Sequence, residues 1–406
     1  RWRRRREVRQ GWQAPTLLLD ATLDAELLRP YWPAVTVTAE LEAEAPHMKV
    51  RQLVGRDFGK SALLPDDWCA DDDAEVARRR RMSERVRAVA LREARAFGGA
   101  PGLIVAQKAV REAWQAAGAM PAYVNMAHHN AVAGRDEWRD VRVEIVVGRT
   151  LPRAAEAERM AEALTGAAVS VTGDYGREDA DIVLRDGRAV PSEAWRHPDP
   201  MAERVRWQIC EGELIQIIGR CRGTNRTADT PADLLILTTC PLPLAVDDVV
   251  SWEALAPSPA DMMLAAGGVA LADAADAARA YPSLWETGEA AKKAFQRARC
   301  GTSPLEKFLV GECPAPLRRL PYQRTGAGRR PAVAVYDPAV VADPAAWLAS
   351  RIGELSPPAR APRGRALARA RRARRRRGCD APRRRAGAVQ PRENGQSGPA
   401  YRPRVG

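Results

Sequence analysis

Seven short runs dominated by apolar residues punctuate the first 240 positions of the chain: TLLLD (16–20), VTVT (35–38), KVRQLV (49–54), GLIVA (102–106), YVNMA (123–127), VRVEIVV (141–147) and DLLILT (233–238). Stretches with helical periodicity fall at 74–97, 108–117, 153–165, 201–219 and 286–298. Strand-length runs alternating with helices predict an α/β fold, a parallel sheet whose strands are joined by helical crossovers. The run Val143-Glu144-Ile145-Val146-Val147 is nearly continuous in apolar character, as a strand covered on both faces should be. Between 167 and 198 the pattern changes. Gly173-Asp174, Gly176 and Asp186-Gly187 separate alternating segments, which predicts a β-hairpin insertion. From 240 to 350 the chain is rich in Pro and Ala and offers few strong strands, so a smaller helical or irregular subdomain is expected there. No internal repeat is visible.

The stretch VGRDFGKSAL (54–63) ends in Gly-Lys-Ser after an apolar run and invites comparison with a phosphate-binding P-loop. That loop needs four residues between its glycines, so that several backbone N–H groups can turn onto phosphate oxygens. Only Arg56, Asp57 and Phe58 lie between Gly55 and Gly59. Pro65 would also interrupt the following helix, and Asp66 and Asp67 would repel phosphate. An ordinary strand-to-helix turn is the better expectation.

Charge changes the picture less than its total suggests. The net charge is +13, but residues 360–406 hold 16 Arg against Asp380 and Glu393, leaving the first 359 residues at −1. Five of the first six residues are also Arg. The high isoelectric point therefore describes two Arg-rich ends, expected to be disordered, and not a basic binding face. Only six residues are Lys, and the usage of Arg, Ala, Pro and Gly is that of GC-rich coding. Two readings of the tail stay open: a passive segment, such as an out-of-frame read, or a nucleic-acid-binding arm. The chain opens on Arg1, which suggests processing or an incomplete reading frame. The seven cysteines form no C-x-x-C pair, which disfavours a zinc or iron–sulfur centre and fits a reducing compartment. No apolar run reaches the roughly 20 residues of a membrane helix, so a cytoplasmic protein without membrane contact is expected.

The most informative chemistry lies in ELIQIIGRCRGTNRT (213–227). It places Gln216, Arg220 and Arg222 near a turn opened by Gly219 and Gly223, where an Arg can reach the γ-phosphate of a nucleotide held by a neighbouring domain. The plainer reading is a solvated basic helix end. QIIGRCRG resembles motif VI of superfamily 2 helicases, Gln-x-x-Gly-Arg-x-x-Arg. Gln216, Gly219 and Arg220 match, and the second Arg falls one place early, at Arg222. LLLDAT resembles motif III through Asp20, Ala21 and Thr22, and GLIVAQKAV, with Lys108, resembles motif IV. HHNAVAGRDEWRDVRVEIVVGRTLP resembles motif V and its following strand, with Gly134, Arg135, Asp136 and Asp140 before the strand and Gly148-Arg149 after it. His128-His129 has no third ligand at zinc spacing, so no metal is expected.

The matched span runs from 16 to 227, in the order III, IV, V, VI, and is most similar to plasmid- and phage-type helicase or primase-helicase proteins. The resemblance implies a RecA-like sheet. It divides the chain into a remnant of a first motor domain (1–45), a second motor domain (46–240), an accessory subdomain (241–355) and the Arg-rich tail (356–406). It implies Gln216, Arg220 and Arg222 as catalytic residues and Gly134, Asp136, Arg149 and Gly219 as nucleotide contacts. Asp20, Thr22, Lys108 and Arg135 would couple the site to DNA or, as the alternative, RNA. The Gly-x-x-x-x-Gly-Lys-Ser/Thr element of the family, and an Asp-Glu pair directly following an apolar strand, are absent from this sequence. ATP and Mg²⁺ are therefore expected only with a missing N-terminal motor domain present, and the chain alone should be inactive. The alternative from another class is a non-catalytic replication accessory protein that binds nucleic acid through its Arg-rich ends.

Overall fold

The computed structural model describes residues 8–12, 14–66, 69–118, 120–299, 313–326 and 331–356. The Arg-rich ends, Cys300 and Cys379 lie outside the described residues.

Six strands form one all-parallel sheet: β1 (Met48–Val54), β2 (Gly102–Ala106), β3 (Val124–His128), β4 (Val143–Val147), and, after the hairpin strands β5 (Gly176–Val183) and β6 (Ala189–Arg196), β7 (Ala232–Leu237) and β8 (Asp248–Ser251). Their order is β3-β2-β4-β7-β1-β8. The central strands β2, β4 and β7 are buried almost throughout, which explains why their sequences read as unbroken apolar runs. Both faces are covered. On one, the helix Asp73–Arg95 lays Val86, Val89, Ala90 and Leu91 against Ile104, Ile145 and Leu235. On the other, Cys210, Leu214, Ile217 and Ile218 pack on Leu103, Val146, Leu234 and Ile236. The sequence expectation of an α/β fold with helical crossovers holds.

The hairpin is present where the turn residues put it. β5 and β6 pair antiparallel from Gly176↔Arg196 to Val183↔Ala189, and Gly187 takes the positive φ of +86° that their turn requires.

Two expected strands are absent. TLLLD and VTVT form no ladder, and Leu17, Leu19 and Val37 are 75%, 86% and 53% exposed. An isolated apolar run has no backbone partner among the described residues, and strand propensity alone does not hold it extended. The region after 240 also differs from expectation. β8 pairs parallel with β1, from Arg51↔Asp248 to Val54↔Ser251, so the large sheet continues past residue 240. Beyond it, β9 (Val269–Leu271), β10 (Arg318–Tyr322) and β11 (Ala332–Tyr336) form a three-stranded antiparallel sheet in the order β10-β11-β9. The helices Pro259–Gly267, Ala274–Ala280, Gly288–Arg299 and Pro344–Ile352 pack with it, with Leu264, Ala277, Val335 and Leu348 in the core.

The stretch GRDFGK is a turn from β1 into the four-residue helix Lys60–Leu63. Phe58 enters the core edge-on to Trp252, with ring centroids 4.8 Å apart. Asp57 is tied to the end of β7, accepting from Thr238 Oγ1 at 2.6 Å and from Thr239 N at 2.8 Å. Lys60 is exposed. The turn crosses β4 at Gly148, whose φ is +68° and where a Cβ would collide with the Phe58 carbonyl oxygen. Gly148→Ala is expected to cost about 2 kcal/mol from backbone strain and overpacking, read as a lower urea midpoint at unchanged slope. An unchanged midpoint would mean that the turn is free to move off β4.

Candidate functional site

The helix that leads into GRCRG starts at Pro200, with Asp199 as its cap accepting from the N–H groups of Met201 and Ala202. It passes through one wide turn at Gln208–Gly212 and resumes at Glu213–Ile218. A tight turn, Gly219–Cys221, ends it, and Arg222 adopts a left-handed conformation at φ +51°. That conformation costs a side-chain-bearing residue about 1 kcal/mol. Two hydrogen bonds from the Arg222 guanidinium to Asp136 Oδ1, at 2.8 and 2.6 Å, hold it there. These bonds in turn keep the Asp136 carboxyl below the usual carboxylate range. The next residue packs closely on the sheet: a Cβ on Gly223 would lie 2.7 Å from Met48 Sδ at the start of β1, so a larger residue there would have to displace the Met48 side chain.

The two arginines are placed differently. Arg220 is 9% exposed, and its guanidinium is committed to the protein. Nε donates to Gln216 O at 2.9 Å, Nη1 to Arg135 O at 3.0 Å and Nη2 to Gln216 Oε1 at 3.4 Å. Arg222 is open, with 41% of its side chain exposed and Asp136 as its acid partner. Arg226 closes the loop by donating to Cys221 O at 2.7 Å and Arg139 O at 2.6 Å.

Gln216 reaches outward as well. Its Nε2 lies 3.3 Å from Thr22 Oγ1 and 3.5 Å from Asp20 Oδ1, while Thr22 donates from N and Oγ1 to Asp20. Gln208 donates to Thr22 O, and Arg204 meets Asp24 at 2.7 Å. One amide thus joins the Asp20–Thr22 segment to Arg220. Asp20, Thr22, Arg135, Asp136, Gln216, Gly219, Arg220 and Arg222 form one constellation. Gly134, at φ +72°, adjoins it in open space, and Arg135 lies over the Trp138 ring at 4.7 Å.

Arg149 and Lys108 are elsewhere. Both follow the C-terminal ends of parallel strands, β4 and β2, whereas Arg220 and Arg222 precede the N-terminal end of β7, so they sit at opposite ends of the parallel strands. Arg149 is nearly buried, 3.5 Å from Asp57. Lys108 is exposed and 3.9 Å from Glu112. His129 is also spoken for: its Nε2 faces Val147 O, and burial pushes its pKa down to about 4, so it is a neutral core residue.

Sequence reasoning passed over Glu144. It sits in β4 with no exposure, its carboxyl oxygens facing the Cys221 thiol and N–H but making no hydrogen bond of good geometry. Burial pushes its pKa up to about 8, outweighing the Cys221, Arg220 and Arg226 groups that favour the charged form. It stands beneath the Arg220–Arg226 loop. A lone Glu in an otherwise apolar strand was the available signal.

No protein-family model, curated protein or solved structure matches the chain. Among the described residues, no helix is long and apolar enough to cross a membrane.

Proposed function

We propose that the chain is the second motor half of an ATP-dependent nucleic-acid helicase, with its six-stranded sheet a RecA-like domain. The observation that carries this reading is the junction at Gln216, where one side chain contacts Asp20 and Thr22 on one side and Arg220 on the other. In the helicases that the sequence resembles, these are the elements that couple nucleotide state to strand movement.

The geometry supports a division of labour within the arginine pair. Arg222 is the phosphate contact, since it is exposed and can exchange the Asp136 carboxylate for a phosphoryl oxygen. Arg220 is the positioning residue, because its donors are taken by backbone carbonyls and Gln216. Gly134 and Gly219 keep the approach open, with no atom near a Cβ at either position. ATP with Mg²⁺ would be gripped mainly by a first motor domain, contributed by another segment or chain, which supplies the P-loop and the acidic metal ligands. The bare Leu17 and Leu19 next to Asp20 fit a segment that packs on such a domain. DNA or RNA would run across both motor domains.

The chain by itself is expected to show no Mg²⁺-dependent ATP turnover, because a phosphate-contacting arginine without a P-loop stabilises nothing. A phosphate-release assay on the purified chain checks this. Turnover that disappears in Arg222→Ala would show a complete site within this chain and overturn the reading.

A further inference from the structure

The wide turn at Gln208–Gly212 contains Cys210, which has no exposure, and Cys240, three residues after β7, is 1% exposed. Their sulfur atoms and a carboxyl oxygen of Glu211 lie within 4.8 Å of one another. Such a cluster can hold a cation or act as a thiol pair, and the surrounding charges separate the two. Both Glu211 oxygens accept from Arg206 at 2.8 Å, and Oε1 also lies 3.4 Å from Arg196. The carboxylate is therefore already neutralised. Arg149 lies beside Cys240, where its positive charge favours a thiolate and opposes a metal ion. A zinc ion would find two free sulfurs where it needs four ligands.

The two sulfurs are also unequal. The neighbouring Cys210 thiol and the Arg149 charge favour a thiolate at Cys240, whereas the Cys240 sulfur and burial disfavour one at Cys210. That ordering makes Cys240 the attacking sulfur and Cys210 the resolving one.

We propose that Cys210 and Cys240 are a redox modification site, which hydrogen peroxide converts to an intramolecular disulfide joining the wide helical turn to the end of β7. The Cys240 thiolate attacks one peroxide oxygen. An S–O bond forms, the O–O bond breaks, and the hydroxide released takes up the proton that Cys240 lost on ionising. The Cys210 sulfur then attacks the sulfenic sulfur, forming the S–S bond, while the sulfenic oxygen leaves as water with the Cys210 proton. Two thiols and one peroxide give one disulfide and two waters. A bonded S–S distance is about 2 Å, so the sulfurs must close up, and the wide turn, wound more loosely than an α-helix, is where the backbone can yield. The bond would pin the helix that carries Gln216 and Arg220.

The test is peptide mapping of the folded full chain after exposure to hydrogen peroxide, with thiols blocked before unfolding and no reductant added. The expected result is a Cys210–Cys240 cross-linked peptide, lighter by two hydrogen atoms, reversed by dithiothreitol and missing in Cys210→Ala and Cys240→Ala. Four outcomes would overturn the proposal: no cross-link in the folded wild-type chain, a disulfide through other cysteines only, oxidation that stops at the sulfinic acid of Cys240, or stoichiometric zinc released when the thiols are blocked. None of these readouts depends on ATP hydrolysis, so the result stands apart from the helicase reading.

Discussion

Glu144→Gln is expected to stabilise the protein by about 5 kcal/mol above pH 8 and to change little near pH 4.5. The sign follows from the direction of the shift. Burial raises the Glu144 pKa from 4.5 to about 8, so the folded state keeps a proton that the unfolded state releases. Below pH 4.5 both states hold the proton and the group costs nothing electrostatically. As pH rises from 4.5 to 8, only the unfolded chain ionises, and folding stability falls. Above pH 8 the folded state ionises too, and the penalty levels off. Glutamine has the same shape and no proton to lose, so it removes the pH-dependent part alone. Urea unfolding of both proteins at pH 5, 7 and 9 measures it, with the gap widening from the first to the last. A gap of equal size at all three values would mean that Glu144 is solvated or paired in the folded protein.

The second large effect concerns Arg222. In the enzyme completed by its first motor domain, Arg222→Ala is expected to lower kcat about 10³-fold, the scale of a lost transition-state arginine. Stability should change by less than about 1 kcal/mol, because the Arg222–Asp136 pair is exposed on both sides. Arg222→Lys should recover little, since an ammonium cannot reproduce the two-pronged guanidinium contact. Arg220→Ala should behave in the opposite sense, costing about 2 kcal/mol of stability by stranding the Arg135 carbonyl and the Gln216 amide. Its effect on kcat would arrive through a loosened loop. Comparing kcat with the unfolding midpoint for each variant separates the contact from the support. Equal losses of stability in both variants would remove the distinction.

Buried strands and capped helices were the legible part of this sequence. β2, β4 and β7 carry enough Val, Ile and Leu to be recognised without context, and the hairpin declared itself through Asp186-Gly187. TLLLD and VTVT misled because composition cannot say whether a partner strand exists. β9, β10 and β11 were missed for the reverse reason: VAL, RRLPY and AVAVY are short or interrupted by Arg, Pro and Ala, and their neighbours make them strands. The local part of the candidate site, Gln216, Arg220 and Arg222, could be read as one cluster in the sequence, whereas its contacts with Asp136 and Arg135, 86 and 85 residues away, come from the fold. Arg149 and Lys108 looked equivalent to them in the sequence. A parallel sheet sends residues that follow a strand and residues that precede one to opposite ends of the strands, and that sorting emerges only from the strand order. The Cys210–Cys240 pair, separated in sequence by a hairpin-length excursion to β7, left no spacing signal at all.

The most direct measurement compares ATP turnover of the chain joined with the first motor domain that completes it, whether on the same chain or another, with turnover of the same assembly carrying Arg222→Ala. Turnover is expected to require Mg²⁺ and nucleic acid and to fall about 10³-fold on loss of Arg222. Turnover indifferent to Arg222 would contradict the assignment of Arg222 as the phosphate contact, and with it the motor-half reading.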